Sequence, residues 1–158
     1  VKLRKKTNTA MGGLPKLNFP AVRLRARRVG VGVEVWDAVR GMWLVLTPEE
    51  WVRRHLIGWI EGRGIAPQRI VQEWPVRLNG QPQRADVVVV DRQGRPLLLA
   101  ECKAASVRID GTVLDQAVRY NSVVGAPWLM LTNGLTHYFY TCAEGACKPV
   151  RELPASFV

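Results

Sequence analysis

The sequence is poor in lysine through its body, in acid at its start and in cysteine throughout, and each shortage narrows what it can be. Its apolar runs are all short. None reaches the length of a membrane span, and residues 1–30 lack the apolar core of a secretory signal, so neither an anchor nor an export route is predicted. The three cysteines, Cys102, Cys142 and Cys147, do not form a zinc set, because a structural zinc needs more ligands than the one nearby imidazole, His137, can add. Cys142 and Cys147 read instead as two thiols of a hairpin, and the odd cysteine count predicts a reducing, cytoplasmic setting. A phosphate-cradling G-x-x-x-x-G-K-S/T sequence is absent, which excludes a motor ATPase within these residues. No helix-turn-helix, zinc finger or internal repeat is recognisable, so a dedicated sequence-reading element is not predicted.

Acid is missing from residues 1–30, which carry nine basic side chains, whereas residues 31–158 carry fourteen basic against thirteen acidic. The formal charge of +10 therefore sits at the start, and the body is nearly neutral. Lys2, Arg4, Lys5, Lys6, Lys16 and the cluster Arg23, Arg25, Arg27, Arg28 suit a flexible arm lying on phosphate, with salt-dependent, sequence-blind affinity. They suit equally a solvated terminus, or upstream sequence ahead of a start at Met11. The alternation from Val22 to Arg27 also suits a basic edge strand. The chain divides into this arm, residues 1–29, and one domain, residues 30–158, and its 47% hydrophobic content is enough for a sizeable core.

Between Lys16 and Lys148 stand fifteen arginines and one lysine, Lys103. Where any cation would serve, this sequence writes Arg; the compact ammonium, whose pKa can be tuned, is kept for one place. That place ends the run Leu97-Leu98-Leu99-Ala100-Glu101-Cys102-Lys103, which follows Arg84-Ala85-Asp86-Val87-Val88-Val89-Val90-Asp91 across a Gly94-Arg95-Pro96 turn. Length, β-branching and flanks predict neighbouring strands, the second buried on both faces. Side-chain alternation puts Glu101 and Lys103 on one face and Cys102 on the other, and Asp86 can reach the first from its own strand. Charges at such a position are costly unless compensated. Two carboxylates and a lysine at the rim of a buried sheet suit a hard divalent cation such as Mg²⁺, and with it metal-assisted phosphodiester hydrolysis in which the lysine orients or deprotonates water. A buried Glu101–Lys103 ion pair, with Asp86 as a turn cap, is the structural alternative.

Around this pair the periodicity predicts strands over 31–36 and 42–46, then a helix opened by Thr47 as cap, Pro48 at its first position and Glu50 as the capping-box acid. Val52, Leu56, Trp59 and Ile60 give that helix one buried face, and Gly62 and Gly64 end it. Residues 70–78 read as a strand broken by Pro75, with Glu73 a further acid on the site's side and Asn79-Gly80 a hairpin turn. A helix over 112–124 stacks Gln116 and Tyr120 on one face. Residues 128–131 and 136–141 form the closing strands around Asn133-Gly134. His55 reads as a packed or surface residue rather than a ligand, and the six tryptophans as mostly core. The order is helix, three strands, helix, two strands: an α/β fold with a mixed sheet.

Asp86 followed by Glu101-Cys102-Lys103 resembles the D…(D/E)xK, or restriction-endonuclease-like, nuclease superfamily. The flanks extend the resemblance: Asp37-Ala38-Val39-Arg40, the run from Leu46 to Arg53, Asn79-Gly80, Asp115-Gln116 with Arg119-Tyr120-Asn121, and Leu131-Thr132-Asn133-Gly134. Together, over roughly residues 17–141, they are similar to the nuclease domain at the N-terminus of type I restriction enzyme R subunits. That resemblance implies a restriction-endonuclease-like core, a mixed β-sheet flanked by helices in α-β-β-β-α-β order. It implies a Mg²⁺-dependent nuclease, with Mn²⁺ an alternative metal, acting on DNA. Asp86, Glu101, the backbone carbonyl of Cys102 and an acid of the first helix would hold the metal. For that acid the resemblance favours Glu50, while helical spacing alone points to Glu49. Lys103 would serve the water or the developing charge, and Gln116 and Tyr120 would hold the site's geometry or touch the DNA backbone. The implied partners are DNA, and a second copy or restriction-system subunits, with no membrane. The competing class is a non-catalytic nucleic-acid-binding or assembly subunit that retains the fold.

Overall fold

A computed structural model describes residues 13–155. A three-stranded antiparallel sheet comes first, from β1 (Ala26–Val29), β2 (Gly32–Asp37) and β3 (Met42–Val45). After α1 (Pro48–Gly62) and a 3-10 turn (Pro67–Arg69) come β4 (Ile70–Leu78), β5 (Gln81–Val90) and β6 (Pro96–Cys102). The chain then crosses through α2 (Gly111–Val124) to β7 (Trp128–Thr132), β8 (His137–Ala143) and β9 (Ala146–Val150). These six strands make one sheet in the order β4-β5-β6-β7-β8-β9. Only β6 and β7 run parallel, and the parallel pair is what requires the α2 crossover. The fold is mixed α/β, as the sequence predicts.

The helices start where the sequence says they must. Thr47 accepts the Glu50 backbone N–H at 3.0 Å, satisfying one orphan donor of α1. Asp110 does the same for Thr112 and Val113 of α2, and Gly125, at φ 74°, closes that helix in the left-handed region. Alternation along β5 and β6 then sends side chains to two cores. Val87, Val89, Leu98 and Ala100 pack with Trp51, Val52, Leu56 and Ile60 of α1. Val88, Val90 and Leu99 pack with Ala117 and Tyr120 of α2. A strand covered on both faces has to read as a continuous apolar run, which is why these segments show no polar alternation.

Three features differ from the sequence reading or lie at its edge. Pro75 does not break β4: the strand runs on through the Pro75–Arg84 pair, and β4 is the edge of the sheet, where proline is tolerated. Cys142 and Cys147 are not free thiols but a disulfide; as direct register partners their Cα atoms are only 4.1 Å apart. Finally, β1 pairs with β2 across residues 29 and 30, and Leu17 and Phe19 are buried in the α1-side core. Residues 1–12, which hold Lys2, Arg4, Lys5 and Lys6 of the basic arm, lie outside the described residues. No helix among the described residues is long and apolar enough to cross a membrane.

Candidate active site

The register of three strands lines up three acids. β5 and β6 pair Val87 with Ala100, so one step further Asp86 faces Glu101. On its other side β4 pairs Gln72 with Val87 and Trp74 with Ala85, which sets Glu73 across from Asp86. Like charges directly opposed on a sheet repel, and the row responds at each member. Glu73 takes a left-handed backbone, φ 53°, and its carboxylate pairs with Arg40 at 2.8 Å. That conformation costs a non-glycine residue about 1 kcal/mol or more. Asp86 accepts the Cys102 N–H at 2.7 Å and meets the Arg53 guanidinium at 3.1 Å. Glu101, only 5% exposed, accepts the Asp86 N–H at 3.1 Å. Burial, then the neighbouring Asp86 charge, push its carboxyl up to about 9, with Lys103 pulling weakly the other way. Glu101 therefore holds a proton at neutral pH. Among the described residues it makes no ion pair with Lys103, whose backbone N–H is tied to the Thr132 carbonyl at 2.9 Å.

The two adjacent acids at the start of α1 have different surroundings. Glu50 is buried and lies between Arg54 at 2.8 Å and Arg53 at 3.2 Å. Glu49 is partly exposed; burial and the Asp86 charge raise its carboxyl, while Lys103 and Arg53 oppose the rise. So Glu49 lies within the influence of Asp86 and Lys103, and Glu50 is committed to two arginines. The family resemblance favours Glu50 for the site, and helical spacing alone points to Glu49.

From the other side α2 brings Gln116 and Tyr120 together: the Gln116 amide donates to the Tyr120 hydroxyl at 3.1 Å, and that hydroxyl donates to Gln83 of β5 at 3.3 Å. Burial and then the charges of Glu101 and Asp86 raise the Tyr120 phenol, which keeps it a neutral donor. Cys102 is fully buried and its thiol is pushed well up by burial and by Asp86, so its sulfur is inert and only its backbone is available to the site. His55 is packed against Trp51, its Nδ1 2.8 Å from the Trp51 carbonyl.

A scan against protein-family models matches residues 48–154 to the type I restriction enzyme R protein N terminus (HSDR_N). The chain belongs to this family. No curated protein and no solved structure matches it. The part matched to the R protein N terminus opens on the first residue of α1 and includes Asp86, Glu101, Lys103, Gln116 and Tyr120. The β1–β3 sheet lies outside it.

Within this R protein N-terminal fold, two arginines that the sequence reading passed over organise the rim. Arg53, 8% exposed, touches Glu50, Asp86 and, at 3.8 Å, Glu49. Arg54 meets Glu50 and Asp37. Burial tends to raise the Asp37 carboxyl, but hydrogen bonds from Arg40 and Gln72 overcome it and hold Asp37 at about 2. One signal was present in the sequence: Arg53 stands four residues after Glu49 and three after Glu50, a helix-face pairing that marks it as a partner of those acids. As for metal binding, no three His, Cys, Asp or Glu side chains among the described residues are grouped as a ready-made site. The donors are nonetheless of the kind a hard divalent cation takes: carboxylate oxygens, those of Glu101 buried and without a cationic partner among the described residues.

Proposed function

We propose that this chain is the nuclease module of a restriction system, hydrolysing DNA phosphodiester bonds with the help of Mg²⁺ or Mn²⁺ on a restriction-endonuclease-like core. The observation that carries this reading is the Asp86–Glu101 pair. Two acids face each other across β5 and β6, burial and the neighbouring Asp86 charge raise the Glu101 carboxyl, and Lys103, the one lysine between Lys16 and Lys148, follows two residues later. Among the described residues Arg53 pairs with Asp86 and Arg40 with Glu73, but no cation pairs with Glu101, and a divalent cation would supply that charge. Asp86, Glu101 and the Cys102 carbonyl would hold it, with Glu49 rather than Glu50 as the α1 acid, because Glu50 is already taken up by Arg53 and Arg54. When bound, the cation would polarise the scissile phosphate and lower the pKa of water. Lys103 would orient that water and offset charge on the phosphate. Gln116 and the neutral Tyr120 would donate to the DNA backbone. Glu50, between Arg53 and Arg54, would position α1.

The test is incubation of the protein with supercoiled plasmid, with Mg²⁺, with Mn²⁺ and with EDTA. Metal-dependent nicking that Glu101→Ala and Lys103→Ala both abolish is the expected result. Undiminished nicking by Glu101→Ala would overturn the assignment. One observation favours a second reading, a nucleic-acid-binding subunit that keeps the fold without cutting: Arg53 already sets a positive charge on Asp86 at 3.1 Å. That reading predicts salt-sensitive DNA binding and no metal-dependent nicking by the wild type.

A further inference from the structure

The outer face of the β1–β3 sheet carries an unusual set of side chains. Register pairs Trp36 with Trp43 and Arg27 with Glu34, and one step before the Ala26–Val35 pair sets Arg25 beside Trp36. Alternation therefore puts Arg25, Arg27, Trp36, Trp43 and Glu34 on one face, and Val35 and Asp37 on the other. The second face is anchored: Val35 is fully buried, and Asp37 meets Arg40, Arg54 and Gln72. The first is not. Trp36 and Trp43 are only half-buried and belong to neither hydrophobic core. Their rings lie 5.3 Å apart. The Arg25 guanidinium lies 5.3 and 5.2 Å from the two ring centroids, and Arg27 lies 4.2 Å over Trp43.

We infer that this face binds single-stranded DNA, its bases stacking on the tryptophan and guanidinium planes while Arg25 and Arg27 meet phosphate. The inference deepens the nuclease reading and rests on DNA being the substrate. Charge selects the occupant. Among the described residues Glu34 is the one acid paired with this row, through Arg27 at 2.6 Å, and the exposed Arg23 continues it with no ion pair. A polyanion complements such a face. The chain's own first twelve residues do not, since they contain four basic side chains and no acid. Two indole faces, tilted at 60° to each other and flanked by guanidinium groups, suit unpaired bases, whose faces a duplex hides. The face is also tied to the acid row, because Arg40, just beyond β2, reaches Glu73, the residue across from Asp86. A strand held here would be referred to the rim where cutting is proposed.

The test measures anisotropy of a labelled oligo-dT, and of a duplex of equal length, with the full chain in EDTA so that no cutting intervenes. The expected result is tighter binding of oligo-dT than of duplex. Trp36→Ala/Trp43→Ala should weaken oligo-dT binding about tenfold or more, and Trp36→Phe/Trp43→Phe should largely retain it. Arg25→Gln/Arg27→Gln should make the slope of log affinity against log salt shallower by about 1.4, the contribution of two phosphate contacts on a single strand. This variant keeps the test open if the double alanine variant fails to fold. Wild-type oligo-dT affinity in a folded Trp36→Ala/Trp43→Ala protein, or an unchanged salt slope, would overturn the inference. So would a wild-type dimer that this variant dissociates, which would make the face a self-association surface. Oligo-dT binding that survives in a protein unable to nick plasmid would sink the nuclease reading alone; nicking without a tryptophan effect would sink this one alone.

Discussion

Replacing Glu101 with glutamine should stabilise this protein at alkaline pH, although Glu101 lies at the centre of the proposed site. In the folded chain its carboxyl is pushed up to about 9, whereas in the unfolded chain it ionises near the ordinary 4.5. Between those values the native state holds a proton that the unfolded state has released, so the term favours unfolding more as pH rises. The full slope is about 1.4 kcal/mol per pH unit. From pH 5 to pH 8 that amounts to about 4 kcal/mol, and relaxation around a buried acid with a higher effective dielectric brings the expectation to about 2 kcal/mol. Glutamine keeps the shape and the acceptor for the Asp86 N–H but has no proton to lose. In EDTA, Glu101→Gln should match the wild type near pH 5 and exceed its Tm by about 4–8 °C at pH 8, taking 2–4 °C per kcal/mol for a domain of this size. Thermal unfolding of both proteins from pH 5 to pH 9 reads this directly. A Tm difference that stays constant over that range would show that Glu101 is ionised throughout and would refute the argument from opposed carboxylates.

The neighbouring acids of α1 should separate in the opposite sense. Glu50→Gln breaks a buried ion pair and leaves Arg53 and Arg54 under-compensated, costing about 3 kcal/mol in denaturant unfolding. Glu49→Gln should leave stability within about 1 kcal/mol and lower plasmid nicking, because Glu49 is partly exposed and its weak contact is with Arg53 at 3.8 Å. Asp37, held at about 2 against an ordinary 3.8, contributes stability that is present above pH 4 and lost as pH falls through about 2. Asp37→Asn should therefore cost about 2 kcal/mol at pH 7, and acid unfolding should show that difference vanishing at pH 2. Reducing the Cys142–Cys147 bond, which closes a short loop, should cost at most about 2 kcal/mol by the chain-entropy argument. A reductant should lower the Tm of the wild type and leave Cys142→Ser unmoved.

How much of this was legible in the sequence depends on the range of the interaction. Local chemistry was plain: the Thr47 cap, the Asn79-Gly80 turn and the doubly buried β6 all follow from neighbours within a few residues. The pairing of Asp86 with Glu101 was legible too, because a short turn between apolar strands fixes which positions can face each other. Long-range partners were not. Arg53 reaches an acid 33 residues away, and only the folded chain shows that this guanidinium meets Asp86. Glu49 and Glu50 are adjacent, and which of them turns to the rim is decided by Arg54, itself held by Asp37 of β2. Pro75 read as a break because its strand's place at the sheet edge is a property of the whole topology. The Trp36–Trp43 face was hidden for a related reason: tryptophan in an apolar strand signals burial, and only the fold shows that these two stay half-buried, outside both cores of the described residues.

Titration with Mn²⁺, followed by calorimetry or by the ion's electron spin resonance signal, tests the central claim most directly. If Asp86 and Glu101 share a divalent cation, the wild type should bind Mn²⁺ and release close to one proton per ion at pH 7, the one Glu101 holds. Asp86→Asn and Glu101→Gln should then bind at least about tenfold more weakly, the loss that removing one good ligand brings. Equal Mn²⁺ binding by all three proteins, or binding by the wild type without proton release, would contradict it.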